Sequence, residues 1–336
     1  MKVSLPRSAW PRLLLRVGVA VALLAFVFHI ALPDDGTGIA SSLAAAWQGG
    51  WAFALLCLAL AFAILGLGFA VGARRFLLLL RGAGIEVEWS ALFRAYLVAG
   101  FFNLVLPGAI LGDVYRLWDA RREAGSGSKI VGIVVVERLL SLAALGILGL
   151  LAAPFIPLAA EDRQLAWALM ALCAAVACAT LAALHPGANR LMRRLIEPIE
   201  AISPRVAGWG EGALDAVATL AESPAVLLRA FGLSLLNQGL PVAAVYILAL
   251  PLAGEVAWYW FAVIVPFVTL VSLLPISIGG TGVREYLYVT LFGSVGMPAE
   301  AALALSLSIL AAAILWAIVG FAIFNLQRRE EERGEG

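Results

Sequence analysis

The chain has 336 residues, 63% of them hydrophobic and 13% charged, with a mean hydropathy of +0.98 and a formal net charge of +1. Soluble globular chains are nearer half apolar and a quarter charged, so a soluble fold is excluded and the surrounding solvent has to be lipid. The net charge says nothing about partners, whereas the placement of the charges does. Cys57, Cys173 and Cys178 lie in apolar runs without metal-ligand spacing, and His29 and His185 are far apart. A zinc site or a histidine-based catalytic cluster therefore has no support.

In chain order, Lys2, Arg7, Arg12 and Arg16 precede and enter an apolar run over 13–32. That run is about 20 residues, the length of a membrane span. It is longer than a signal-peptide core and no small-x-small cleavage site closes it, so it is expected to stay as the first helix. Further apolar runs follow at about 51–72, 89–106, 130–153, 164–184, 226–250, 257–274 and 299–325. Backbone in hydrocarbon must satisfy its own hydrogen bonds, which makes these runs helices. The segment 185–225 mixes Arg, Glu, Pro and Gly with apolar residues and is expected to form one or two short amphipathic helices at the membrane surface, or a plain linker.

Two short runs end in related sentences. LPGAILGDVYR, from Leu106 to Arg116, and LPISIGGTGVR, from Leu274 to Arg284, share five of eleven residues at an offset of 168. The excess of Lys and Arg on cytoplasmic loops decides whether those runs cross. If every run crosses from an inside N-terminus, Arg116, Arg121, Arg122 and Lys129 fall outside, as do Arg190, Arg193, Arg194 and Arg205. If both short runs enter and leave on one side, the cytoplasm gains those clusters together with Arg74, Arg75, Arg81 and the C-terminal Arg328, Arg329 and Arg333. The outside then keeps only Arg163 and Arg284. The expected fold is an all-α integral membrane protein with six full transmembrane helices and two re-entrant helical hairpins in an inverted repeat. Both termini are expected to be cytoplasmic. The first repeat covers about 51–153, a cytoplasmic linker about 185–225 and the second repeat about 226–325, all within one polytopic domain. Trp258, Tyr259 and Trp260 are expected to anchor the second hairpin at the outer interface. Paired broken helices of opposite orientation are a device of transporters that switch access between two sides.

Pro107 and Pro275 break their helices, and the adjoining glycines permit a turn. Helices are expected to restart near Asp113 and Val283, where free N–H groups favour an anion. Gly108 and Gly112 in the first sentence, and Gly279, Gly280 and Gly282 in the second, would let a phosphate approach the backbone. Charged residues inside the apolar zone are costly and thus candidates for function: Arg94, Asp113, Arg116, Glu137, Arg138, Arg284 and Glu285. Arg94 is expected to snorkel to the cytoplasmic mouth. Arg116, Arg138 and Arg284 suit a phosphate through the planar guanidinium fork. The competing assignment is mutual ion pairing, with Glu137 reaching Arg116 or Arg284. Neighbours such as Arg284 and Glu285 are expected to point apart, so that one faces a ligand while the other holds the fold. Asn103 either satisfies backbone freed by the proline break or touches substrate. Asn237 and Gln238 are expected to bond between helices. No catalytic nucleophile-base pair, metal cluster or cofactor motif is present in the sequence.

With these residues in place, the chain resembles the lysylphosphatidylglycerol synthase transmembrane (flippase-like) family. The resemblance rests on Asn103, Pro107, Gly108, Gly112, Asp113 and Arg116, on Glu137–Arg138, and on Gly279, Gly280, Gly282, Arg284 and Glu285. It implies an inner-membrane protein that moves a phospholipid or glycolipid between leaflets. It also implies a membrane region standing without the aminoacyl-transferase domain, so synthesis of lysyl lipid is not expected. The expected partner is a membrane lipid with a phosphate headgroup. A lipid-synthesis enzyme and a second copy of the chain are further candidate partners, and no nucleic acid is expected. No ATP motif is visible, so uphill transport would draw on an ion gradient, with Glu137 as the candidate proton carrier. A membrane enzyme on a lipid-linked substrate, a small-anion transporter and a non-catalytic scaffold remain as alternatives.

Overall fold

The structure is a computed structural model, and it describes residues 50–105, 112, 115–116, 127–155, 163–183, 185–200, 203–252, 254–272 and 282–334. The expected first span at 13–32 and both hairpin tips, including Pro107, Gly108, Asp113, Pro275, Gly279 and Gly280, lie outside the described residues. The described chain is helical: α1 (Trp51–Gly82), α2 (Trp89–Val105), α3 (Gly127–Leu151), α4 (Arg163–Ala183), α5 (Pro186–Glu200), α6 (Pro204–Ala221), α7 (Pro224–Ala249), α8 (Trp258–Ser272), α9 (Val283–Ser294) and α10 (Ala299–Gly334). α9 begins at the expected Val283.

Four of these helices, α1, α3, α7 and α10, are long and apolar enough to cross a membrane on their own. α4 reaches that standard together with α5, across a bend of 71°. Their burial differs in a way that sets the layout. In the most apolar stretch of α3, 61% of residues are buried, against 22% in α1, α7 and α10. α3 is therefore the central helix, and the other three turn large apolar side chains outward. Leu55, Leu56, Leu60, Leu228, Leu236, Ile314, Leu315 and Ile318 are all exposed, which is unfavourable in water and neutral in lipid.

Shifted by 168 residues, Trp51–Gly82 becomes 219–250, Trp89–Val105 becomes 257–273 and Gly127–Leu151 becomes 295–319. The observed α7, α8 and α10 occupy these windows to within a turn or so at each start. Contacts follow the same correspondence. α2 packs on α10 and α8 on α3, α1 packs on α2 and α7 on α8, and α1 and α7 lie along each other.

Small residues allow the close approaches. A Cβ on Gly320 of α10 would fall 2.2 Å from the Leu97 carbonyl of α2, and one on Gly146 of α3 would fall 2.4 Å from the Cys173 carbonyl of α4. Gly132 of α3 meets the Ala213 carbonyl of α6 at 2.2 Å in the same way. With no hydrophobic force between helices in lipid, such backbone proximity is what gives them a specific docking position. Trp316 of α10 stacks on Phe62 of α1 at 4.5 Å, and its indole N–H donates to the Phe62 carbonyl at 3.0 Å.

Two apolar cores result. One joins α7, α8, α9 and the start of α10 around Phe261, Ile264 and Phe292. The other joins α1, α3 and α6 around Phe76, Leu80, Ile133 and Leu220. The 185–225 segment supplies two helices, as expected, but α6 is more than a surface linker because Ala216 and Leu220 enter the second core. Trp260 is also corrected. It is buried in the first core, whereas Trp258 is exposed and packs edge-on against Phe155 at 4.8 Å. Successive helical residues point about 100° apart, so where one side of α8 packs on the core, one of three consecutive aromatics turns into it.

Replacing Gly320 with leucine is expected to lower unfolding stability by about 1–3 kcal/mol, the usual cost of forcing packed elements apart. Gly232, with no atom within 4 Å of an added Cβ, should accept alanine without loss. Thermal unfolding in detergent would measure both.

Candidate functional site: two arginine–carboxylate clusters

The helix α1 does not stop at its arginine pair. The apolar run Phe76–Leu80 carries it on to Gly82. Adjacent residues of a helix diverge, so Arg74 is exposed while Arg75 is turned inward with 4% of its surface accessible. Arg75 was expected among the cytoplasmic surface charges, and the structure corrects this. Its Nη2 lies 2.6 Å from Glu137 Oε1, and its Nη1 donates to Ser141 Oγ at 2.8 Å and Ser234 Oγ at 3.1 Å. Both hydroxyls give their protons to carbonyls of their own helices, Glu137 and Ala230 respectively. Their oxygens are thereby left to accept from the guanidinium. Gln238 of α7 reaches the Ser141 carbonyl at 3.3 Å, the interhelical bond expected of it.

Glu137 sits on the central helix and is 1% accessible. Besides Arg75, the Tyr96 hydroxyl of α2 donates to its Oε1 at 2.5 Å, and Arg116 Nη1 approaches both carboxylate oxygens at 3.3 Å. The Arg116 guanidinium carbon stands 4.2 Å from the Tyr96 ring centre and 5.5 Å from that of Phe76, a cation–π contact. Two groups from neighbouring helices, Arg75 and Tyr96, thus meet Arg116 at one carboxylate. Two partners were expected for Arg116, Asp113 one helical turn earlier and Glu137; the structure shows the pair with Glu137, and Asp113 lies outside the described residues.

The second cluster is built locally. Gly282 has φ +86°, the left-handed region suited to glycine, and precedes the first residue of α9. Its N–H donates to Glu285 Oε2 at 2.5 Å, so the side chain of the third helical residue caps its own helix. The other oxygen, Oε1, accepts from Arg284 Nη2 at 2.7 Å and Nε at 3.2 Å, and from Ser306 of α10 at 3.3 Å. Glu285 is fully buried. The expectation that Arg284 and Glu285 point apart is therefore overturned. Curling back to the Gly282 amide brings the carboxylate beside the neighbouring guanidinium.

Asn103 accepts the Gly112 N–H at 3.0 Å, the backbone-satisfying role. Gly112 lies so close to α2 that a Cβ would sit 2.5 Å from Asn103 Oδ1 and 2.6 Å from the Ala99 carbonyl. Arg138 follows Glu137 and is half-buried, and Arg94 is exposed as a snorkelling residue would be. The residues that sequence reasoning passed over are Arg75, Tyr96, Ser141, Ser234 and Ser306. For Arg75 a signal existed, since neighbours on a helix diverge by about 100° and a helix continuing past an Arg–Arg pair can turn one of the two inward. For the serines and the tyrosine none did.

Chemically, both clusters are guanidinium sites already occupied by a carboxylate, an arrangement suited to exchanging one anion for another. Among the described residues no group of His, Cys, Asp and Glu is placed to hold a metal ion. A cavity of about 240 Å³ between the end of α7 and the start of α8, lined by Tyr246, Glu255, Phe261 and Met297, shares no residue with either cluster.

Comparison with known families matches residues 13–327 to the lysylphosphatidylglycerol synthase TM region. The chain belongs to that family. Comparison with curated proteins gave no match. Family membership and the long apolar helices together make this a multi-pass membrane protein of lipid metabolism or transport.

Removing a partner from a buried ion pair typically costs about 3–5 kcal/mol, whereas an exposed pair contributes about 0–1 kcal/mol. Glu137→Ala is accordingly expected to destabilise far more than Asp215→Ala, whose pair with Arg193 is largely exposed. Unfolding of both variants in the same detergent would rank them.

Proposed function

We propose that this protein moves a phosphate-headed lipid, a phospholipid or polyprenyl-linked glycolipid, between the leaflets of a bacterial inner membrane by alternating access. Six spans with cytoplasmic termini would carry two re-entrant hairpins of opposite orientation, whose tips carry Arg116 and Arg284. The observation that carries this proposal is the pair of arginines at matching places in two repeated sentences, each held by a buried carboxylate. A guanidinium within the apolar zone is costly unless it is used, and phosphate matches its fork. The correspondence of α1, α2 and α3 with α7, α8 and α10 supports the repeat. Acyl chains would remain in lipid while the headgroup crosses, which avoids passing them through water. Asn103, Gly108, Gly112, Asp113, Arg138, Gly279, Gly280 and Gly282 complete the proposed headgroup environment, with Glu137 and Glu285 as the anions that hold the arginines when no lipid is bound.

Lipid co-purifying with the protein, identified by native mass spectrometry, should carry a phosphate headgroup and be lost in both Arg116→Ala and Arg284→Ala. Retention in both variants overturns the proposal. In liposomes holding headgroup-labelled lipid, relocation of an unchanged lipid supports transport, and a chemically altered lipid points to a membrane enzyme instead.

A further inference from the structure

The two arginines that meet Glu137 are held in different ways. Arg75 is clamped by three acceptors: Glu137 Oε1 at 2.6 Å, Ser141 Oγ at 2.8 Å and Ser234 Oγ at 3.1 Å, drawn from α3 and α7. Its Nε is buried without a hydrogen-bond partner among the described residues. The clamp therefore leaves one donor unsatisfied in order to place the other two nitrogens. Arg116 contacts the same carboxylate through a single nitrogen, at 3.3 Å to each oxygen, which leaves the bidentate fork unused toward Glu137. Its cationic face rests on the rings of Tyr96 and Phe76.

We infer that Arg75 is the fixed counter-ion of Glu137 and Arg116 the exchangeable one. An incoming phosphate takes Arg116 from Glu137 while Arg75 keeps the abandoned carboxylate paired. This deepens the proposed function and rests on its assignment of Arg116 to the phosphate. The physical reason is the cost of stranding a buried ion. Without Arg75, the departure of Arg116 would leave Glu137 with only the Tyr96 hydroxyl, so the carboxylate would hold Arg116 against any competing anion. With Arg75 in place, Glu137 retains a short charged bond and the Tyr96 donor throughout. Arg116 meanwhile gives up two long contacts to Glu137 for the charge-assisted hydrogen bonds that phosphate offers. Arg75 touches no lipid in this scheme. It acts through Glu137 as a positioning residue.

The test titrates the purified full-length protein in detergent with short-chain phosphatidylglycerol, and separately with inorganic phosphate, following the thermal shift on binding. Arg75→Met should weaken phosphatidylglycerol binding roughly tenfold or more, the scale of coupling between close charges. Glu137→Gln should tighten it. The double variant Arg75→Met/Glu137→Gln should recover binding to within about threefold of the parent, because removing the carboxylate removes the need for its counter-ion. Arg75→Lys, which keeps the charge, should bind better than Arg75→Met, and it supplies the comparison if the methionine variant does not fold. A merely structural role for Arg75 would leave the double variant no better than Arg75→Met, and that result overturns the inference, as does unchanged binding in Arg75→Met. Loss of binding in Arg116→Ala with no effect of Arg75→Met removes this inference alone. Full binding in Arg116→Ala removes the proposed function with it. An equal response to inorganic phosphate supports the exchange but assigns the anion to a soluble source, which overturns the lipid.

Discussion

A carboxylate with no water around it must be paired, and the protein is arranged around one such carboxylate. Glu137 projects from the most buried helix, and the groups that satisfy it come from α1, α2 and the Arg116 segment, with α7 holding Arg75 from behind. In lipid, helices gain little from apolar contact alone. A charged knot that demands a particular rotation of several helices therefore specifies more than the leucines around it. The close glycine approaches act in the same direction by fixing separation, while the ion pairs fix rotation. The apolar cores fill the space between these two kinds of constraint.

The two clusters satisfy a buried carboxylate differently. Glu137 shifted by 168 lands on 305, beside Ser306, the α10 residue that reaches Glu285. α3 and α10 thus both supply a polar group to an arginine–carboxylate pair. Arg75 shifted by 168 is Ala243, so α7 offers no arginine at the corresponding place. The carboxylate of the second cluster is satisfied within four residues, by the Gly282 amide and Arg284, apart from one serine. One cluster is thus distributed over several helices, and rearranging any of them disturbs it. The other belongs to the first turn of α9 and travels with that helix.

The positions of the long helices were legible because apolar run length dominates every competing signal in a chain this hydrophobic. α3, α7 and α9 start within a few residues of the sequence expectation. α1 runs about three turns beyond its apolar run, to Gly82, because its arginines sit within the helix rather than ending it. What the pattern could not carry was side-chain direction around each helix. Arg74 and Arg75 count alike in a charge tally, yet one faces out and the other is buried against Glu137, Ser141 and Ser234. Trp258 and Trp260 divide in the same way. Arg284 and Glu285, separated by rotation on an ideal helix, meet because a capping carboxylate bends back toward the helix start, a local choice of rotamer that helical periodicity does not carry. Glu137 and Arg116 were legible as ions in the wrong solvent. Ser141, Ser234 and Ser306 were not, since a serine in an apolar helix ordinarily bonds its own backbone. Ser141 and Ser234 do so as well and accept from Arg75 with the lone pairs that remain, whereas Ser306 donates its proton to Glu285.

An arginine that already has an anion binds another only by exchange, so the strength of binding is a difference between two pairings. That constraint suits a carrier. A bare buried guanidinium would hold phosphate too tightly to release it, and it would also destabilise the empty protein. With a resident carboxylate, the empty and loaded states are both charge-paired, and the gap between them is set by the geometry of contacts rather than by the full cost of a buried charge. The long, single-nitrogen contact of Arg116 to Glu137, against the short clamped contact of Arg75, is where that gap would be tuned. In the second cluster the same resident anion also caps α9, so displacing it exposes a helix N-terminus with its own affinity for negative charge. Under the proposed transport, a phosphate arriving there would replace Glu285 in both of its roles, as partner of Arg284 and as cap of the helix.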